Sequence, residues 1–178
     1  MTKTSIKSAA TPKPKSSRAA KAAGPATAVD ALNKLRIVVR SAQRHSAWIE
    51  KQCGVTGAQL WLMQELHETP GLRVGELAER LAIHQTTTSN MLNGLVRRKL
   101  LVKKRESTDQ RVVTLALTKE GKALVAKAPV PARGLLPEAL RNLCQARLED
   151  LTRGLQALLD EIGQTDEALG KQPLPFTM

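Results

Sequence analysis

The residues best suited to chemistry lie in one short run, QTTTSNMLNGLVRRK, at positions 85–99. Helical spacing turns Met91, Leu92, Leu95 and Thr88 inward. Gln85, Thr86, Ser89, Asn90 and Asn93 are left on the outer face, with Thr87 beside them. A solvated helix face usually carries Lys and Glu. This one offers small uncharged donors and acceptors, which can pair with the edges of nucleic-acid bases. Carboxylates would repel phosphates, and none occurs between Arg80 and Arg105. Cations follow at Arg97, Arg98 and Lys99, then at Lys103, Lys104, Arg105 and Arg111, and these suit phosphate contacts. Asp109 stands two residues before Arg111 and is placed to aim its guanidinium, since the two groups pair in fixed geometry. An arginine held on a flexible tip can enter a narrow minor groove. The blander alternatives are a Thr/Asn-rich surface helix and an ordinary turn ion pair of little worth.

Such a surface needs elements to hold it. A short helix is expected over 74–81, a turn at Ala82-Ile83-His84, and a second helix over 85–98 whose start His84 caps or contacts. LLVKK and RVVTLAL then read as two short strands around a charged turn. The pattern is a helix-turn-helix followed by a two-stranded ribbon. Upstream, Asp30 is expected to cap a first helix over 30–52, ended by Gly54. Thr56 and Gln59 form a capping-box pattern for a helix over 57–68. Downstream, Thr118 caps a helix over 119–127, and a further helical piece is expected near 131–141. A long helix over 145–163 carries Leu148, Leu151, Leu155, Leu158 and Ile162 on one stripe. Residues 166–178 read as a mostly loose tail.

Composition sets the outer limits. The chain has 178 residues, 42% of them hydrophobic, but only 2% aromatic and no Tyr. A core of Leu, Val, Ile and Ala suits helices. The net charge of +12 argues for a polyanionic partner, nucleic acid first. Half of that charge sits in residues 1–28, which hold six bases and no acid and read as a disordered basic tail. It serves either as a solubilising segment or as an arm with non-specific DNA affinity. No apolar run is long enough to span a membrane. No signal-like h-region appears, and two cysteines make no disulfide framework, so a cytoplasmic setting is expected.

From GELAERLAIHQTTTSNMLNGL to DQRVVTLALTKEG the sequence resembles the winged helix-turn-helix of the MarR family (multiple antibiotic resistance regulators). Its wing pattern D-x-R stands here as Asp109-Gln110-Arg111, and its L-T-x-x-G as Leu117-Thr118-Lys119-Glu120-Gly121. Weaker similarity covers roughly residues 30–163. One departure is clear: the family usually has Gly after the recognition helix, and this chain has Lys99. The fold class implied is mostly α with a small β-wing. The winged helix-turn-helix spans 55–118, flanked by dimerisation helices over 29–54 and 119–165. The resemblance implies an obligate homodimer on double-stranded DNA with a pseudo-palindromic operator. Residues 85–93 would enter the major groove and Arg111 the minor groove.

The resemblance further implies release from DNA by a small effector. His45, Trp48 and Trp61, where the first two helices should meet, are the candidate lining of a pocket for an aromatic or phenolic molecule. The alternative for the two tryptophans is plain core packing. His45, Glu50, Cys53, Glu65 and His67 lack the spacing that marks a metal site. Cys53 and Cys144 read as structural thiols, though Cys144 falls at a helix N-cap, where a thiol can be activated. No cofactor, metal or catalytic set is expected. The leading function is a dimeric sequence-specific repressor, and the alternative is an architectural or non-specific nucleic-acid binder.

Overall fold

A computed structural model of the chain describes residues 25, 27–105, 113–163 and 166–177. Eight helices and one two-stranded ribbon are found among them. Helix α1 (Ala28–Cys53) begins two residues earlier than the sequence suggests. Thr27, not Asp30, is its N-cap, and Asp30 closes the capping box from three residues inside. Both residue types cap well, and the reciprocal arrangement engages both side chains. The hydroxyl and amide of Thr27 hold the Asp30 carboxyl below its ordinary pKa.

Helix α2 (Gly57–Glu68) has the expected Thr56–Gln59 capping box. It is the centre of the molecule. Leu60, Leu62 and Met63 are wholly buried and Leu66 nearly so. A helix apolar on more than one side must be covered on more than one side. The covering elements are α1, α3 (Val74–Leu81), α4 (Gln85–Arg97), β2 (Val113–Leu117) and α5 (Lys119–Lys127). Leu77 from α3, Leu92 and Leu95 from α4, and Leu101 and Leu115 from the ribbon complete the core. Each fully buried aliphatic side chain contributes roughly 1.5–3 kcal/mol relative to exposure.

β1 (Leu101–Arg105) pairs antiparallel with β2, with Leu101 opposite Leu117 and Arg105 opposite Val113. The outer edge of β2 is also occupied: Leu115 exchanges backbone hydrogen bonds with the Gly71–Leu72 segment. Gly71 has φ +89°, so the turn after α2 needs glycine there.

Beyond α5 the proline-rich stretch delays the next helix. α6 spans Leu135–Arg141 rather than starting near 131. α7 (Gln145–Ile162) has no buried residue within the chain. The segment expected to be mostly loose is folded instead. Asp166 caps a short helix α8 (Glu167–Gly170), and a 3-10 turn at Pro175–Thr177 packs on α1. Most of the basic tail lies outside the described residues. No helix among the described residues is long and apolar enough to cross a membrane.

Candidate nucleic-acid interface

α3 and α4 meet at Ala82, whose αL backbone (φ +53°) makes the tight turn. His84 is the N-cap of α4, as expected, but acts through its backbone rather than its ring. Its carbonyl accepts from the Thr88 amide (3.0 Å) and the Thr88 hydroxyl (3.1 Å). That satisfies Thr88, which is fully buried. Met91, Leu92 and Leu95 also face inward. Gln85, Thr86, Asn90 and Asn93 are exposed, and Thr87 and Ser89 half-buried at the margin. The inward set holds α4 against α2, which leaves the amide and hydroxyl face turned to solvent.

α4 ends in a paired-bond cap. The Leu100 amide donates to Leu95 O (3.0 Å) and the Lys99 amide to Val96 O (2.9 Å). Leu95 and Leu100 are both buried, which supplies the apolar contact of this motif. The motif requires φ > 0 at Lys99, and φ there is +59°. The position that favours glycine is thus filled by lysine with the turn unchanged. Thr118 offsets part of the strain by donating its hydroxyl to Lys99 O at 2.8 Å. Lys99→Gly is expected to raise stability by about 1 kcal/mol, measured by denaturant unfolding.

The base of the wing is locked to this cap. The Thr118 hydroxyl also accepts from the Gly121 amide (3.0 Å), which caps α5. The Thr118 amide donates to Leu100 O (3.1 Å). A side chain at Gly121 would stand 2.1 Å from that same oxygen. The L-T-x-x-G pattern is therefore a backbone junction between α5 and the root of β1.

The cations fall into distinct settings. Arg97, Lys99 and Lys104 are exposed. Lys103 reaches back to the Asn93 amide oxygen (2.8 Å), tying the first wing strand to the outer face of α4. Arg98 donates to Gly54 O (2.5 Å) and so joins the end of α4 to the end of α1. Arg105 ends β1. Asp109 and Arg111 lie outside the described residues.

A cavity of about 360 Å³ lies behind the helix-turn-helix. His45 and Trp61 line it; Trp48 does not, and is 47% exposed beside His45. Phe176, from the C-terminal segment, lines the cavity instead. Nothing in the local sequence marked it. His45, Glu65 and Arg133 are engaged within the chain. His45 Nε2 lies 3.1 Å from Pro131 O. Glu65 is buried and accepts from Arg133 (2.7 Å), Arg80 (3.3 Å) and Trp61 Nε1 (3.1 Å). Arg133 also pairs with Glu68. Among the described residues no three of His, Cys, Asp and Glu gather around one point. Burial pushes the Cys53 thiol pKa up, away from the reactive thiolate. Cys144 is the N-cap of α7 by position, with no side-chain capping bond.

A core-anchored helix presenting an uncharged polar face, followed by a cationic ribbon, defines a winged helix-turn-helix DNA-binding protein. The MarR family model matches residues 54–112. The HTH-type transcriptional repressor MdtR of Bacillus subtilis (strain 168) is 29% identical over 119 residues, which cover 67% of this chain and 76% of MdtR. The crystal structure of MepR, a transcription regulator of the Staphylococcus aureus multidrug efflux pump MepA, has a TM-score of 0.50 at 23% identity, covering 74% of this chain and 97% of that one. A MepR-like protein complexed with pseudoligands has a TM-score of 0.52 at 24% identity, covering 79% and 100%. Residues 54–112 thus carry a MarR-family winged helix-turn-helix, and the chain is a DNA-binding transcription regulator.

Proposed function

We propose that the chain is a cytoplasmic, homodimeric, sequence-specific repressor, not an enzyme, that leaves a pseudo-palindromic operator when a small apolar effector binds. The observation that carries this reading is the outer face of α4: Gln85, Thr86, Asn90 and Asn93 exposed, with no carboxylate from Arg80 to Arg105. Its amides suit base edges, and the cations of the ribbon suit phosphates. MdtR, a repressor by name, supports the sign of regulation.

Dimerisation is supported by unpartnered apolar side chains at both ends of the chain. Leu32, Leu35 and Val39 of α1 and Leu151, Leu155, Leu158 and Ile162 of α7 are each 38–65% exposed. Stripes of this size mark an association surface. Two protomers joined there present two copies of α4, and a symmetric pair of helices reads a symmetric site. An effector in the cavity behind α4 would change the separation of the two helices by binding one arrangement better than the other.

Footprinting on the DNA flanking its own gene tests the reading. Two symmetric protected half-sites about one helical turn apart are expected; uniform protection would contradict it and favour the architectural alternative, to which the basic tail would be central. Within the footprint, Asn90→Ala is expected to relax sequence preference by about 1–3 kcal/mol at one base pair. Arg111→Ala should instead weaken binding to all sequences and lower the salt slope by about one. Binding by Arg111→Ala equal to wild type at every salt concentration would remove the wing from the interface.

A further inference from the structure

The cavity is closed on one side by the chain's own C-terminal segment. Gly170, Gln172, Pro173, Leu174, Phe176 and Thr177 line it. The segment is ordered internally, with Asp166 capping α8 and the Thr177 hydroxyl donating to Leu174 O (2.7 Å). It is anchored on α1 through the 3-10 turn. A backbone bond also anchors it: the His84 amide donates to Lys171 O at 2.9 Å. His84 is the N-cap of α4, and its carbonyl in turn holds Thr88. The segment therefore grips the peptide that sets where the recognition helix begins. The same cavity is bordered by Ala82 and Ile83 of the helix-turn-helix turn.

The lining also limits the chemistry of an occupant. Its side chains are mainly aliphatic, with Phe176 and Trp61 as the flat faces. Among the described residues the one cationic side chain that lines it, Arg133, is committed to Glu65 and Glu68, and His45 to Pro131 O. No unpaired charge is offered to an ionic ligand, and burying one there would be costly.

We propose that residues 166–177 form a strap that closes this cavity and latches it to the start of α4. An uncharged lipophilic molecule is held between strap and turn, and it shifts the recognition helix by loosening the Lys171–His84 contact. This rests on the reading of α4 as the DNA-contacting helix, but the strap and its latch can be measured without DNA.

The test uses the full dimer and N-phenyl-1-naphthylamine, an uncharged fluorescent lipophile. Three proteins are compared: wild type, Phe176→Ala, and a chain ended after Asp166. The wild type is expected to bind the probe. Phe176→Ala should bind about tenfold more weakly, since a ring buried against the ligand is worth more than one kcal/mol. The truncated chain should bind more weakly still. Hydrogen exchange at the His84 amide is the second readout. It should be protected in the wild type and in Phe176→Ala, exchange about tenfold faster when the wild type binds the probe, and be fast in the truncated chain whether or not probe is present.

Probe binding by the truncated chain equal to wild type would overturn the proposal. So would His84 exchange that neither truncation nor probe alters, or failure of the wild type to bind the probe. A failed footprint would leave these exchange results intact, so the two readings fall separately.

Discussion

Gly121→Ala is expected to lower stability by about 3 kcal/mol or more, a loss of roughly 6–12 °C in melting temperature. The added methyl would stand 2.1 Å from the Leu100 carbonyl oxygen and 3.1 Å from its carbon. Both are backbone atoms, so no flexible side chain can yield. Either α5 moves away from the root of β1 or β1 moves away from α4. The first weakens the Thr118 amide bond to Leu100 O; the second disturbs the cap on Lys99. Gly75→Ala is the matched control. It also lies in a helix, but an added methyl there meets nothing within 4 Å. That substitution should be neutral or stabilise by up to about 1 kcal/mol. Equal melting temperatures for the two variants would remove the junction from the account.

Arg133→Ala is the second large effect, with an expected loss of about 3 kcal/mol. Glu65 has a side chain only 9% exposed, and Arg133 is its nearest cation. Removing one partner of a buried pair leaves the other charge without compensation. Arg80 and Trp61 remain on Glu65, which keeps the loss at the lower end of the range. The double variant Glu65→Gln/Arg133→Met should recover most of it, because Gln still accepts from Trp61 and the two charges left without their partners, Arg80 and Glu68, are each 42% exposed to solvent. If the double variant is as unstable as the single one, the loss comes from packing and not from charge.

Acid adds a further signature to the same site. The Arg133 guanidinium, and then the Gln64 amide, hold the Glu68 carboxyl below its ordinary pKa. A carboxyl lowered on folding stabilises the fold above its unfolded pKa and loses that contribution as pH falls through the folded value. The stability gap between wild type and Arg133→Ala should therefore narrow below the ordinary carboxylate range. Glu68 is 42% exposed, so solvent screening keeps its share small. Urea unfolding at neutral and acid pH would measure it.

These residues show why the sequence revealed some features and not others. The Thr56–Gln59 box, the Thr118 cap and the α3–α4 turn are short-range patterns, and each lies where its spacing predicts. The inward face of α4 was legible because apolar period and buried side coincide. The start of α1 slipped because Thr27 and Asp30 both suit a cap, and only the reciprocal bond shows which takes the position. Glu65 looked like a conceivable metal ligand because its partner Arg133 lies 68 residues away, and nothing local announces that pairing. The strap was read as loose for the same reason. Gly, Pro and Gln dilute its few apolar residues, no period emerges, and its order comes from α1 and from His84. Trp48 shows the converse: an aromatic at the expected helix need not face the expected cavity.

Lys99 joins the sequence and the interface most closely. A glycine there would relax the backbone, yet lysine is kept in an αL cap at the end of the recognition helix. An exposed cation at that point sits beside Arg97 and ahead of Lys103 and Lys104. Lys99→Gly therefore sets stability against DNA affinity, and the two are separable by measuring both in one variant.

The central claim is that the outer face of α4 reads sequence. Competition binding at physiological salt tests it most directly, with the wild-type protein titrated against its own promoter fragment and against random DNA of equal length. A preference of about a thousandfold or more for the promoter is expected, reduced when Asn90 is replaced by Ala. Equal affinity for both fragments, unchanged by Asn90→Ala, would contradict it.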